Sequence, residues 1–165
     1  MNEAGVFITF EGIDGSGKST QVKHLARRLR DTGRDVLLTR EPGGSKGAEE
    51  IRSLVLEGAP ERWSAETEIL LFTAARRDHM EKLILPALQD GKIVICDRFA
   101  DSTRMYQGLS RGDLRKTVDS LTDLMITRQP DLTILIDMDP AVGLRRARAR
   151  NSKEARFENF GIILQ

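Results

Sequence analysis

Apolar residues recur along this chain with two different rhythms. VFITF (6–10), DVLLT (35–39), KIVIC (92–96) and DLTILID (131–137) are short, β-branched and almost continuously apolar, the pattern of strands covered on both faces. Between them the apolar positions fall three and four apart. STQVKHLARRLRDTG (19–33) sets Val22, Leu25 and Leu29 on one helical face, and Gly33 stands where a helix C-cap belongs. AEEIRSLVLEG (48–58) and LRKTVDSLTDLMIT (114–127) also read as helices. AETEILLFTAARRDHMEKLILPALQDG (65–91) predicts one long helix or a helix pair, bent or broken at Pro86, whose missing N–H and bulky ring interrupt the ladder. Strand and helix alternate, which predicts parallel βαβ units in an α/β fold.

Composition narrows the picture without changing it. With 165 residues, 39% hydrophobic and 31% charged, the chain buries one core and reads as a single domain over 1–165. Its 26 basic and 25 acidic residues leave a net charge of +1, so no global field argues for nucleic acid or an anionic membrane. Any anion site has to be local. The single cysteine, Cys96, lies inside the apolar run IVICDR; it excludes a disulfide framework and predicts a buried, reduced thiol in a cytoplasmic protein. The sequence opens without a signal pattern, and no apolar segment approaches the roughly 20 residues of a bilayer span.

The first strand runs into GIDGSGKS (12–19), which spells G-x-x-x-x-G-K-[ST] with Gly12, Gly17, Lys18 and Ser19. Strand before and helix after are the context a phosphate-binding loop requires. Its glycines let backbone N–H groups turn inward around phosphate oxygens, and the helix that follows adds unpaired donors and the positive end of its dipole. Lys18 neutralises β- and γ-phosphates; Ser19 offers a hydroxyl to Mg²⁺. The bland alternative is a glycine-rich turn with a surface lysine.

What accepts the phosphate is sought at the carboxyl ends of the other strands, where doubly wound sheets bind ligands. TREPGG (39–44) follows strand two and CDRFADSTRMYQG (96–108) ends strand three, with LLFTAARRDH (70–79) between them. Each of Arg40, Arg76 and Arg98 taken alone is as well read as a solvated charge. Together they suit a second phosphate group, which guanidinium holds bidentately.

FEGIDGSGKST, TREPGG, LLFTAAR, DRFADSTRMYQG, RQPDLTILID and GLRRARAR follow one another over nearly the whole chain, and in order and spacing the sequence resembles the thymidylate kinases, P-loop nucleoside monophosphate kinases. The resemblance implies a three-layer P-loop kinase fold and transfer of phosphate from ATP to dTMP with Mg²⁺. It implies that residues 12–20 (Gly12, Ile13, Asp14, Gly15, Ser16, Gly17, Lys18, Ser19 and Thr20) bind ATP, with Arg146 packing on adenine. Asp14 is implied to hold the sugar 3′-hydroxyl of dTMP, Arg40 and Arg98 its phosphate, and Asp97, with Ser19, the metal. Phe72 is implied to stack on thymine, Arg76 to reach a ring carbonyl, and Thr103, Tyr106 and Gln107 to line the base and sugar. From sequence alone, Phe72 reads better as core packing beside Leu70 and Leu71, and Tyr106 reads equally as a helix-face aromatic.

GLRRARARNSKEARFE (143–158) is the most basic run. A charge run is ordinarily a solvated face, but the resemblance implies a mobile lid at about 145–158, closing over the transferring phosphate. In such kinases the catalytic arginine sits either in the P-loop or in the lid; with Ser16 in the loop, Arg150 is expected to supply it, helped by Arg156. Two departures accompany the likeness. Ala155 stands where many relatives carry an acidic lid residue, and the chain stops at NFGIILQ, so the family's last strand and helix are expected to be missing, with weaker ATP binding and an apolar sheet edge exposed. Rival expectations are a sister kinase with another acceptor, an ATP-driven switch that turns over without acceptor, and a half-site that binds dTMP without transferring phosphate. The resemblance implies a homodimer pairing through helices; burial of the 68–88 stretch on the chain's own sheet is the competing reading.

Overall fold

The computed structural model describes residues 5–109 and 112–149. Four parallel strands, β1 (Val6–Glu11), β2 (Val36–Arg40), β3 (Ile93–Asp97) and β4 (Leu132–Leu135), form one sheet in the order β2-β3-β1-β4. The chain therefore crosses from β1 over the future place of β3 to β2 and returns. Register keeps the functional ends level: Phe10 pairs with Asp97, and Asp97 with Arg40.

Pleating sorts the strand residues into two layers. Phe7, Val94 and Cys96 face a layer built from the long helical stretch, packing with Met80, Ile84, Leu88 and Phe99. Ile8, Phe10, Ile95 and Val36 face the other layer, against Val22 and Ala26 of α1 (Lys18–Asp31). β1 and β3 are buried on both faces as their continuous apolar runs predict, whereas β4 is the end strand among the described residues, with Leu132 and Leu135 52% and 67% exposed. An apolar run by itself does not distinguish a central strand from an edge strand.

The remaining helices are α2 (Lys46–Leu56), α3 (Ala65–His79), α4 (Leu85–Gln89), α5 (Ala100–Tyr106), α6 (Arg115–Met125) and α7 (Pro140–Arg148). Ser45, Ser64 and Asp139 cap α2, α3 and α7 by accepting a backbone N–H of the first turn, which satisfies one of the donors a helix start leaves open. Pro86 does not break the helical stretch. Met80–Ile84 widens into a π-helical turn, with the Leu85 N–H on the Met80 carbonyl, and Pro86 falls in the first turn of α4 where its missing N–H costs little.

Candidate active site

The loop between β1 and α1 wraps the start of the helix. Gly17 is its N-cap in the left-handed region (φ 97°), and the loop packs backbone to backbone on α7: a Cβ on Gly15 would lie 2.1 Å from the Gly143 carbonyl oxygen, and one on Gly143 2.9 Å from the Asp14 carbonyl oxygen. Lys18 is buried and donates through Nζ to the Ile13 carbonyl at 2.8 Å. Burial, with the positive charge of Arg98 adding to it, lowers its pKa to about 8. Ser16 Oγ is the one buried side-chain polar atom without a hydrogen-bond partner among the described residues, so its hydroxyl is free to meet a polar group of a ligand. Ser19 donates to Asp97 Oδ2 at 2.6 Å. Two hard oxygen donors beside a phosphate loop fit Mg²⁺, which takes few protein ligands and keeps its waters.

Across from the loop, Arg98 follows β3 with φ 75°, a left-handed backbone unusual for a residue with a side chain. Backbone pairing holds it there: its N–H donates to Phe10 O at 2.9 Å, and the next N–H, of Phe99, to Glu11 Oε1 at 2.7 Å. Its guanidinium donates to the Gly12 carbonyl at 3.1 Å, to Ser102 Oγ at 2.9 Å and to Asp14 Oδ1 at 2.5 Å, and lies 5.3 Å from the Tyr106 ring centre. Tyr106 donates to Asp14 Oδ2 at 3.2 Å. Burial alone would raise the Asp14 pKa, but Arg98 and Lys18 outweigh it and hold the carboxyl below its ordinary range. Glu11 moves the other way, pushed up by burial although it also accepts the Ser102 hydroxyl at 2.6 Å.

A second connected group lies on the α3 side. Arg76, 2% exposed, donates to Glu41 Oε2 at 2.7 Å and Thr103 Oγ1 at 2.9 Å and stacks 5.0 Å from the Phe99 ring centre. Gln107 donates to Glu68 Oε2 at 3.4 Å. Phe72 is buried with Val55 and Leu56, the packing that its apolar neighbours predict.

The structure thus joins Asp14, Asp97, Arg98 and Tyr106 with Lys18 and Ser19 around the carboxyl ends of β1 and β3, and joins Arg76 with Thr103 beside them. Arg40 stands apart, half-exposed and paired with Glu49 at 3.1 Å. Thr20 is exposed on α1, while Arg146 lies beside the loop, its Cβ 3.1 Å from where a Gly15 Cβ would stand. Arg150 and Arg156 lie outside the described residues, as does most of the expected lid. Sequence reasoning missed Glu11, Glu41, Ser102, His79 and Gly143. Strand parity was the available signal for two of them: Thr39 and Glu41, like Thr9 and Glu11, alternate with residues of the α1 face.

A parallel sheet with a glycine-rich G-x-x-x-x-G-K-[ST] loop at its centre, facing the buried Arg76, the partly buried Arg98 and buried carboxylates at the same edge, defines a P-loop kinase-type phosphotransferase. Comparison with known proteins narrows this class. A family model described as Thymidylate kinase matches residues 10–163. A thymidylate kinase of Ruegeria pomeroyi is 72% identical over the whole chain and 78% of its own length, and one of Dinoroseobacter shibae is 67% identical over the whole chain and 80% of its own. The crystal structure of thymidylate kinase from Ehrlichia chaffeensis superposes with a TM-score of 0.77 at 45% identity, covering 88% of this chain and 78% of that one. The chain belongs to the thymidylate kinase family.

Proposed function

We propose that this chain transfers the γ-phosphate of ATP to dTMP, yielding ADP and dTDP, and that residues 12–20 hold the donor while the group around Asp14 and Arg98 holds the acceptor. The observation that carries this reading is the direct link between the two sets: Asp14 belongs to the phosphate loop, yet both of its oxygens are engaged by Arg98 and Tyr106 of the acceptor side. The two sets of side chains are therefore within hydrogen-bond reach of each other, an arrangement that suits the close approach in-line transfer requires.

Loop N–H groups and the Lys18 ammonium neutralise the donor phosphates. Ser19 and Asp97 hold Mg²⁺, which when bound supplies charge compensation on the phosphate oxygens. Arg98, anchored through Ser102 and Gly12, turns a fixed fork of donors toward the acceptor phosphate; Arg40 joins it by leaving its ion pair with Glu49. Asp14 accepts the sugar hydroxyl. Arg76, Phe72, Thr103, Tyr106 and Gln107 form the base pocket. Arg150 and Arg156 belong to a lid over 145–158 and Arg146 to the adenine side. The enzyme is a single domain, residing in the cytoplasm without nucleic acid or membrane partners; among the described residues no helix is long and apolar enough to cross a membrane.

The test is coupled ADP release with Mg-ATP, comparing dTMP with dUMP, dCMP, AMP and no acceptor. Release that depends on dTMP is expected; equal release without acceptor would replace this reading by an ATP-driven switch. The same assay carries a pH prediction. Lys18 loses its charge in the free enzyme above about 8, so kcat/KM for ATP falls by about one log unit per pH unit beyond that point. The sign for stability is opposite. Below about pH 8 the fold must bury an ammonium that the unfolded chain keeps in water, and this cost is relieved as pH rises toward the ordinary 10.5. A flat kcat/KM profile through pH 8 would remove Lys18 from donor binding.

A homodimer is supported by exposed apolar side chains on α3 and α6: Leu70 is 57%, Leu124 75% and Met125 39% exposed. Sedimentation equilibrium is expected to return twice the chain mass; a monomer mass at micromolar concentration ends that reading.

A further inference from the structure

His79 is fully buried at the end of α3 and has no part in the phosphate chemistry. Its two ring nitrogens are nonetheless both engaged. Nδ1 lies 3.2 Å from Glu41 Oε1, and Nε2 lies 2.7 Å from Thr39 Oγ1. A carboxylate oxygen only accepts and the threonine hydroxyl is free to donate, so the arrangement selects the tautomer with hydrogen on Nδ1. The other Glu41 oxygen accepts from Arg76 Nε, and Arg76 Nη2 donates to Thr103. One buried chain thus runs Thr39, His79, Glu41, Arg76, Thr103, tying β2, α3 and α5 together. The backbone of TREPGG lies against its start: a Cβ on Gly44 would stand 2.3 Å from His79 Nε2 and 2.5 Å from Thr39 Oγ1.

Resting on the assignment of Arg76 to the base pocket made above, we propose that His79 is a positioning residue, acting through Glu41 to fix the Arg76 guanidinium in the orientation that reads the acceptor base. Without the Nδ1 donor, one Glu41 oxygen is left unpaired in a low-dielectric interior and the carboxylate rotates to find another partner. Arg76, held at Nε by that carboxylate, rotates with it. Two of the guanidinium's three nitrogens are committed to Glu41 and Thr103, and no protein partner among the described residues takes Nη1, which is left for the base. Cys96 completes the enclosure: its Sγ donates to the Arg98 carbonyl at 3.1 Å, and burial pushes its thiol pKa well up, so it stays neutral beside Glu41. With Arg76 already balancing the Glu41 charge, the Glu41, His79 and Cys96 side chains, which cluster within 4.8 Å, serve orientation rather than cation binding.

The test compares two substitutions that each keep one half of the imidazole's contacts. H79N retains a nitrogen donor near the Nδ1 position; H79Q reaches Thr39 and gives up the donor to Glu41. H79Q is expected to raise KM for dTMP about tenfold, the loss of a hydrogen bond to a charged group, and to narrow the preference for dTMP over dCMP. H79N is expected to stay within about threefold of the parent, and KM for ATP to hold in both. Equal dTMP values for the two variants, or parallel rises for dTMP and ATP, overturn the positioning role in favour of simple packing. R76A separates the layers of inference: if it leaves KM for dTMP unchanged, the base-pocket assignment fails; if it raises KM while H79Q does not, only the relay fails. Should H79Q not fold, ¹⁵N chemical shifts of the parent decide, because hydrogen on His79 Nδ1 is required and a ring without hydrogen there overturns the proposal.

Discussion

Replacing Arg98 with alanine is expected to lower kcat/KM for dTMP by roughly a thousandfold, the scale of losing a preorganised charge at a transferring group, and R98G is expected to be equally inactive yet the more stable of the two. Both variants lose the fork that joins the Gly12 carbonyl, Ser102 and Asp14. They differ only in the backbone. At φ 75°, residue 98 occupies a region that costs a side-chain-bearing residue about 1–2 kcal/mol and glycine almost nothing. The native chain tolerates this because neighbouring bonds dictate it: the residue 98 N–H is fixed on Phe10 and that of Phe99 on Glu11. Alanine keeps the strain without the compensating guanidinium, so R98G should melt about 2–4 °C above R98A, the shift that roughly 1 kcal/mol produces in a domain of this size. Thermal melts and dTMP kinetics on the pair check both halves. Equal melting temperatures would mean that the left-handed turn relaxes once the side chain is gone; retained activity in either would remove Arg98 from the reaction.

The second large effect concerns Gly143, and local and tertiary arguments give it opposite signs. Within α7, glycine is the poorest helix former short of proline, so alanine should gain about 0.8–1 kcal/mol. Packing says otherwise. The new methyl would stand 2.5 Å from Ile13 Cδ1 and 2.9 Å from the Asp14 carbonyl oxygen; Ile13 can shift, but the loop backbone cannot retreat without altering the phosphate cradle. Overpacking of this kind costs about 1–3 kcal/mol. G143A is therefore expected to be less stable than the parent by about 1 kcal/mol, the difference of these two ranges, and to raise KM for ATP about tenfold while KM for dTMP changes less. A stabilised G143A with an unchanged KM for ATP would show that α7 and the loop are not in the close contact described.

These two sites also mark what was legible. GIDGSGKS could be recognised because its chemistry lies in consecutive residues: strand, loop and helix start are set by local backbone requirements, and the structure realises them with Lys18 and Ser19 at the first turn of α1. The apolar runs located all four strands for the same reason. Arg98 was legible as a charge after a strand, but its left-handed backbone was not, because nothing in DRF demands it; the Glu11 and Phe10 contacts that impose it come from a strand more than 80 residues away. The sequence predicts a bend or break at Pro86, since a period of 3.6 has no way to express the π turn that carries the helical stretch past it.

Glu41 and His79 were hidden differently. In TREPGG the arginine draws attention, yet Arg40 points to solvent and Glu49, while its neighbour Glu41 is 5% exposed against Arg76. Alternation along β2 shows that Thr39 and Glu41 share a face opposite Arg40. It does not show which layer covers that face.

By itself, then, the sequence determined the local elements, the glycine-rich loop between β1 and α1 and, through its segment order, the family, because each of these depends on neighbours in the chain or on their spacing. Only the tertiary structure decided the strand order β2-β3-β1-β4, which brings Asp97 beside Ser19, the contact of Gly143 with the loop, and the buried line from Thr39 to Thr103. The physical reason is common to all three. Each results from burying apolar strand faces under helices that are remote in sequence, and such burial is non-directional: it dictates that the faces are covered and leaves to packing which residues meet there.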